Sequence, residues 1–453
     1  MRDLFATLPD EPAPPMSAGY LDTVLTRGRR SVRRRLIGTA AVWAVVLIAL
    51  AVVIVPGVRL PAQPAAPSHR PGLPDRFAGY SLLTSTVTKA PPGRAIALYG
   101  YGNGELFNMF QPLVVGADRD TYRRVDAMDE RDRPSALLAP DGTRVLLGDD
   151  RGPTGDLLLV DLTTGKRDSI PLGDPVGVRL LAWSPDGRYV AYSAAPLTGS
   201  DGTVDFVDTS VAHTGTLRLL DLSTGRSREL PAGKPAWTAA FAPDSRRLAV
   251  QVGQEVHLID LDGRESGSVH ITVGRELAAN VGWSPDGRFL ATVPWAGAGP
   301  AGSGGTDHGV FLSTPRNVDF VAVADGDTPP GPVQDVVQLL GWRSAQSIIV
   351  AAANAKGQLS LAEVQLGADT RRTLSRFDTG STCELGLQTC QVFDLQLATG
   401  LLPDLAVRNA SRPQRGPWPL ALTVPAVGGG VAVLLLVWRL RVRHRRRRLS
   451  GQL

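Results

Sequence analysis

Four aspartates stand at matching places along the chain: Asp141, Asp186, Asp244 and Asp286. A repeated carboxylate invites a metal or acid–base reading. Each sits in a Pro-Asp-Gly-like phrase, however, and Asp suits such turns because its side chain bonds to nearby backbone. The six histidines, His69, His213, His257, His270, His308 and His444, are scattered and form no His-x-x-x-His pair, so they lack the spacing of metal ligands. His257 lies in a strand phrase and is expected to be structural. Cys383 and Cys390 are the only cysteines. Without neighbouring histidines they make no zinc site. Outside the cytoplasm such a pair reads as a small-loop disulfide, and inside it would be two free thiols. There is no Gly-x-Ser-x-Gly elbow, phosphate loop or dinucleotide fingerprint. These residues therefore predict a non-enzyme, with no catalytic residue, no cofactor and no metal site. What remains is recognition chemistry in two stretches. One holds Asp201, Asp205, Phe206, Asp208 and His213; the other holds Trp295, Asp307, His308 and Phe311. Aromatic residues mixed with polar groups are what binding surfaces favour.

The elements that would carry these stretches are set by two repeated phrases. The first reads Trp183-Ser184-Pro185-Asp186-Gly187-Arg188 and again Trp283-Ser284-Pro285-Asp286-Gly287-Arg288. Weaker copies stand at Phe241-Ala242-Pro243-Asp244-Ser245-Arg246 and Leu138-Ala139-Pro140-Asp141-Gly142-Thr143, and degenerate ones at Lys89–Arg94 and Gly341–Ala345. Each predicts a strand end, a tight turn and a second strand. The second phrase reads Val160-Asp161-Leu162-Thr163-Thr164-Gly165, Leu220-Asp221-Leu222-Ser223-Thr224-Gly225 and Ile259-Asp260-Leu261-Asp262-Gly263. It predicts another hairpin. Two hairpins make four strands, and repeats of about 40–60 residues built this way predict propeller blades.

These phrases resemble the blades of TolB-like, WD-repeat-like β-propellers, over residues 77–402. The resemblance implies an all-β, six-bladed propeller, with seven blades as the alternative. Blade one is expected at residues 77–128 with its turn at Pro91-Pro92-Gly93. Residues 377–402 are left over; they supply either the strand that closes the ring or part of a seventh blade. The two polar stretches fall between second and third strands, at residues 195–215 of blade three and 294–316 of blade five. In propellers of this kind such loops emerge on one face. Blade four between them has only the tight Gly253-Gln254-Glu255 turn, so the two insertions should flank a gap. Propellers host unrelated activities, so the resemblance itself leaves function open.

The ends of the chain carry the membrane signals. The formal net charge is +5, but residues 1–59 hold eight Arg against four acids, and residues 417–453 hold seven Arg and no acid. The middle is therefore acidic, which argues against nucleic acid as the partner. Residues 36–55 are an unbroken apolar run, long enough to span one hydrocarbon core. Residues 420–437 form a second, bracketed by Trp418 and Trp438. Arginines lie before the first run and after the second, which by the positive-inside rule puts both ends in the cytoplasm and the middle outside. Only four residues, Lys89, Lys166, Lys234 and Lys356, are lysine; with abundant Ala, Gly and Pro this points to a GC-rich bacterial genome.

The expected organisation is a cytoplasmic segment 1–35, a transmembrane helix 36–55, a Pro-rich linker 56–76, an extracytoplasmic propeller 77–402, a linker 403–417, a second transmembrane helix 418–438 and a basic cytoplasmic tail 439–453. The leading function is a membrane-anchored binding, sensing or scaffold platform for a protein or cell-envelope ligand. The Arg-rich flanks would meet membrane lipids, and residues 1–35 could dock a cytoplasmic partner. Two alternatives stand beside it. The short amino-terminal segment and its Arg-rich flank resemble membrane-tethered regulators of extracytoplasmic-function sigma factors of actinobacterial type, though no zinc-binding anti-sigma motif is present. The other alternative is an enzyme with acidic residues in the central funnel.

Overall fold

A computed structural model describes residues 70–79, 81, 83–102, 111–126, 135–148, 152–196, 211, 214–231, 234–294, 316–353, 358–368, 370–377, 391–417, 433 and 436–440. Contacts divide the chain into residues 63–419 and a second unit made of residues 1–62 and 420–453.

In the first unit the described elements are almost all strands. β1 (Gly72–Pro74) and β2 (Arg76–Phe77) precede β3 (Ala95–Gly102), β4 (Gln111–Gly116) and β5 (Tyr122–Arg124). β6 (Ser135–Leu138), β7 (Arg144–Gly148) and β8 (Thr154–Asp161) lead to β9 (Arg167–Trp183), followed by β10 (Tyr189–Ala195), β11 (Thr216–Asp221) and β12 (Arg226–Glu229). Next come β13 (Thr238–Phe241), β14 (Arg247–Val252), β15 (Glu255–Asp260) and β16 (Glu265–His270), then β17 (Arg275–Leu277), β18 (Phe289–Pro294), β19 (Arg316–Ala322) and β20 (Val333–Val336). The chain ends in β21 (Gln338–Ser344), β22 (Ser347–Ala353), β23 (Leu359–Gln365), β24 (Thr370–Phe377), β25 (Gln391–Leu397) and β26 (Ala406–Arg408).

The strands pair as successive antiparallel sets. β13 to β16 form one sheet in chain order and β17 to β20 the next. β21 to β24 form another, with β2 added parallel on its outer edge. The long β9 serves two sets. Its first part pairs with β8, as in Leu157↔Ile170, and its last part with β10, as in Val190↔Trp183. β6 to β12 are thereby one continuous sheet. The chain closes on itself where β25 pairs antiparallel with β3, with Val392↔Tyr101 and Leu397↔Ala97 in register. Residues 391–397 are thus the closing strand.

That closure corrects the expected first blade. Its leading strand is β25, and the Pro91-Pro92-Gly93 corner does not join two ladder strands; β3 begins only at Ala95. Two adjacent prolines have no N–H to give a ladder, which excludes them from a paired strand.

The turn phrases fold as their residues dictate. The amide of Gly142 bonds to the Ala139 carbonyl at 2.9 Å, Gly187 to Ser184 at 2.8 Å and Gly287 to Ser284 at 2.9 Å. The three glycines hold φ of 72°, 73° and 71°. In the weaker fourth copy Ser245 takes the same place at φ 57°, and its amide bonds to Ala242. Two of the phrase tryptophans reach back to the preceding set: the Trp283 indole donates to the Ala240 carbonyl and Trp342 to Val281, both at 3.0 Å.

The core lies in layers between neighbouring sets. One layer packs Leu181, Ala191 and Leu219 against Phe241, Leu248 and Ile259. Another packs Leu98 and Val114 against Val145 and Val160. Each inner set buries one face against the set before and the other against the set after, so strands such as β13 and β14 are near-continuous buried runs.

Ordered pairing continues beyond residues 77–402. β1 lies parallel to β26, with Gly72 opposite Ala406. Phe77 stacks on Phe377 at 4.2 Å, and Tyr99 meets both rings edge-on. Within the segment expected as a linker, residues 411–414 run beside residues 120–122 at the start of β5. The Gln414 carbonyl accepts from the Tyr122 amide, and Ser411 donates its hydroxyl to Asp120 at 2.8 Å. Asp120 is buried and ion-pairs with Arg408 at 2.7 Å. Tyr122 lies beside this strap, and burial pushes its phenol up to about 12, against the lowering effect of the Ala78 amide on its oxygen.

The run at 36–55 lies outside the described residues, as does the second run except for residues 433 and 436–438. Residues 436–440 are helical, with Leu436, Val437, Trp438 and Leu440 exposed. Among the described residues no helix is long and apolar enough to cross a membrane.

Candidate functional site

The two long connections arise where expected. β10 ends at Ala195 and β11 begins at Thr216; β18 ends at Pro294 and β19 begins at Arg316. Both join the second strand of a set to its third. In an antiparallel set those connections, and the links from one set to the next, lie at the same end of the strands. The Pro-Asp-Gly turns lie at the opposite end. Between the two, β14 and β15 are joined by the tight Gly253-Gln254 turn, with Val252 opposite Glu255. Asp201, Asp205, Phe206, Asp208, His213, Trp295, Asp307, His308 and Phe311 lie outside the described residues, as do Cys383 and Cys390.

Beneath these strand ends runs a polar seam across three sets. Arg179, on the last part of β9, places its guanidinium carbon 4.3 Å from the ring centre of Trp237, just before β13. The Trp237 indole donates to Glu276 Oε2 on β17 at 2.9 Å. A cation, an indole and a carboxylate from three sets are thereby joined in one chain of contacts. Ser193 stands directly opposite Arg179 across the β9–β10 pair and is fully buried.

Gln251, at the end of β14, stitches the fourth set to the fifth. It is buried, accepts from the Leu277 amide at 2.7 Å and donates to the Gly253 carbonyl at 2.9 Å. Arg275 does similar work one strand on. It donates to the Thr292 hydroxyl at 2.9 Å and pairs with Asp319 at 3.0 Å, which ties β17 to the ends of β18 and β19. Burial pulls the Arg275 guanidinium below its ordinary value and Asp319 pushes the other way; at neutral pH it is still a cation.

The returning end of the first long connection is anchored at this seam. Val211 packs on Ala195, the Gly215 amide bonds to the Val211 carbonyl at 2.9 Å, and the Gly215 carbonyl accepts from Ala236 at 3.2 Å. A side chain at Gly215 would meet both the Ser193 hydroxyl and the Val211 carbonyl. Only glycine lets the chain turn back so close to β10.

Such a seam can do recognition. An arginine over an indole face is held in a fixed plane, and its N–H fork suits planar acceptors. Among the described residues no group of three or more His, Cys, Asp or Glu is placed to hold a metal ion.

The repeated aspartates are turn residues. Asp141 accepts from the Thr143 amide at 2.9 Å, Asp186 from Arg188 at 3.0 Å, Asp244 from Arg246 at 2.9 Å and Asp286 from Arg288 at 3.2 Å. His257 meets Glu265 at 2.9 Å on its Nδ1 side, a structural contact between β15 and β16. Sequence reasoning missed Arg179, Trp237, Gln251, Arg275 and Glu276. The signal that could have found one of them is Gln251, a polar residue at the end of the apolar run Leu248-Ala249-Val250.

The closing pair β25–β3, the successive antiparallel sets and the repeated turn phrases together decide the fold. The chain is a β-propeller that resembles TolB-like and WD-repeat propellers. No protein-family profile matches it. A WD repeat-containing protein, SL1-17 of Schistosoma mansoni, is 32% identical over 141 residues, which are 30% of this chain and 40% of that protein. The propeller thus matches well under half the length of that relative. TolB from Acinetobacter baumannii is similar in structure with a TM-score of 0.42 and 17% identity, covering 67% of each chain. An oligogalacturonate lyase in complex with manganese has a TM-score of 0.40 and 14% identity over 67% of the propeller chain and 79% of its own.

Proposed function

We propose that this chain is a membrane-anchored, extracytoplasmic, six-bladed propeller that serves as a binding or scaffold platform, taking a protein or a cell-envelope component on the face that bears the two long connections. The observation that carries this reading is the coincidence of three features at one end of the strands: both long connections, the tight turn between them, and the Arg179–Trp237–Glu276 chain at their base. Loops on a rigid scaffold are where binding concentrates. Counting four strands to a set, with β9 shared and β25 as the leading strand of the first, supports six blades. Residues 36–55 and 418–438 are the two spans in this reading, with both termini cytoplasmic. The pairing of β1 with β26 supports it, because the first and last strands of the propeller lie next to each other. The protein holds its ligand and does not turn it over.

The test is to replace residues 197–210 and 297–313 by tight turns in the full-length chain. Thermal unfolding should stay within a few degrees of the parent, because the strands that bury the core are untouched. The amount of the specific partner that co-purifies, identified by mass spectrometry, should fall at least tenfold, about 1.4 kcal/mol. Unchanged recovery from the doubly shortened chain would overturn the assignment of the face.

A further inference from the structure

Arg179 is the unexplained group at the seam. Its guanidinium is half-buried, it makes no ion pair among the described residues, and its Nη1 is buried without a hydrogen-bond partner. The Ser193 hydroxyl is likewise buried and unpartnered. Residues directly opposite on antiparallel strands point to the same side, with their Cβ atoms about 5 Å apart. The two orphaned groups are therefore neighbours on the surface of β9–β10 that faces the fourth set, where Trp237 stands. Arg218 is also short of a partner at Nε, but it lies opposite Tyr192 and so belongs to the other surface of the sheet.

A buried guanidinium N–H without an acceptor is costly, and more so than a neutral donor. Glu276 offsets the charge across the width of the Trp237 ring, yet its carboxylate is engaged by the indole N–H and gives Nη1 nothing to bond. What satisfies a guanidinium edge and an adjacent hydroxyl at once is an acceptor with two oxygens. Arg meets carboxylate and phosphate in this forked way, and a hydroxyl adds a third bond.

We propose that Arg179 and Ser193, with Trp237 as the platform, form a binding site for an oxyanion, a phosphate or carboxylate group borne by the ligand of this face. The assignment rests on the reading of this face as the binding face, and it names the chemistry recognised there.

The test uses the full-length chain in detergent micelles, labelled with 5-fluorotryptophan. The fluorine signal of Trp237 is the one missing from Trp237→Phe. Sodium phosphate and sodium acetate are titrated separately, with chloride holding ionic strength constant. The Trp237 signal should shift saturably with one of them, phosphate indicating a phosphate-bearing ligand and acetate a carboxylate, while the other seven tryptophan signals stay in place. Arg179→Gln should raise the apparent Kd at least tenfold. Glu276→Gln removes a repelling charge and should lower it severalfold. No saturable shift with either salt, or an unchanged Kd in Arg179→Gln, would overturn the site. If Arg179→Gln loses its dispersed spectrum, Glu276→Gln decides: tighter binding supports the site, and unchanged or weaker binding rejects it. The two readings fail separately. Absent anion binding with insertion-dependent partner recovery removes the oxyanion alone. Anion binding with insertion-independent recovery removes the platform and leaves the site.

Discussion

Asp221, in the turn of the second repeated phrase, is held by several bonds at once. It pairs with Arg188 at 2.8 Å and accepts from the Ser223 amide and hydroxyl. The Arg188 bond first of all holds its carboxyl far below the usual range; burial opposes it, and the two Ser223 bonds add to the lowering. Asp327 is lowered in the same way by Arg288. At Asp161 burial works upward, but bonds from Thr163 and Thr164 outweigh it and the carboxyl is again lowered. Unfolded, these groups titrate near 3.9. As pH falls, protons therefore bind the unfolded chain first, and the stability these groups supply is present above about pH 4 and is lost as pH drops through their folded values. The urea midpoint should be level between about pH 5 and 7 as far as these groups go, then fall below about pH 4. Asp221→Asn should make that fall shallower, and an identical acid limb in the variant would contradict the assignment. The seam residues follow a different logic from the turn residues. Asp141 was legible because the residues that fix its role lie within three positions. Arg179, Trp237 and Glu276 come from three strand sets, so no local spacing announces them.

The same contrast holds for elements. The two long connections could be bounded closely from sequence, because strand-like runs end near Ala195 and Pro294 and resume near Thr216 and Arg316. β9 could not: its middle, Pro171 to Val176, carries Pro, Gly and Asp that read as a break, yet its backbone continues from one set to the next. The strap at 405–415 was hidden for another reason. Asp120 and Arg408 lie well over half the chain apart, and only ring closure brings them together. That pair is a specific liability. Arg408 also donates to the Gly72 and Gly116 carbonyls, so one side chain holds β1, β26 and the end of β4 together. Removing one partner of a buried pair strands the other charge, at a cost of roughly 3–5 kcal/mol. Asp120→Ala should lower unfolding free energy in urea by about 3 kcal/mol on that basis. A loss below about 1 kcal/mol, the size of an exposed pair, would mean that the strap is not docked as described.

At the scale of the whole molecule the proposal is that the end of the propeller bearing the long connections meets the ligand, outside the membrane. Val273 reports on it directly. It lies in the link between β16 and β17, at that end of the strands, and is 71% exposed. Asp262 is the matched control, exposed in the turn between β15 and β16 at the opposite end. The measurement is to place a photo-crosslinking side chain at Val273 or at Asp262 in the full-length chain, irradiate intact cells, and resolve the adducts by mass. The account predicts a discrete adduct with an extracytoplasmic partner from Val273, lost when residues 197–210 and 297–313 are shortened, and no adduct from Asp262. A partner captured from Asp262 but not from Val273, or a cytoplasmic partner captured from Val273, would contradict it.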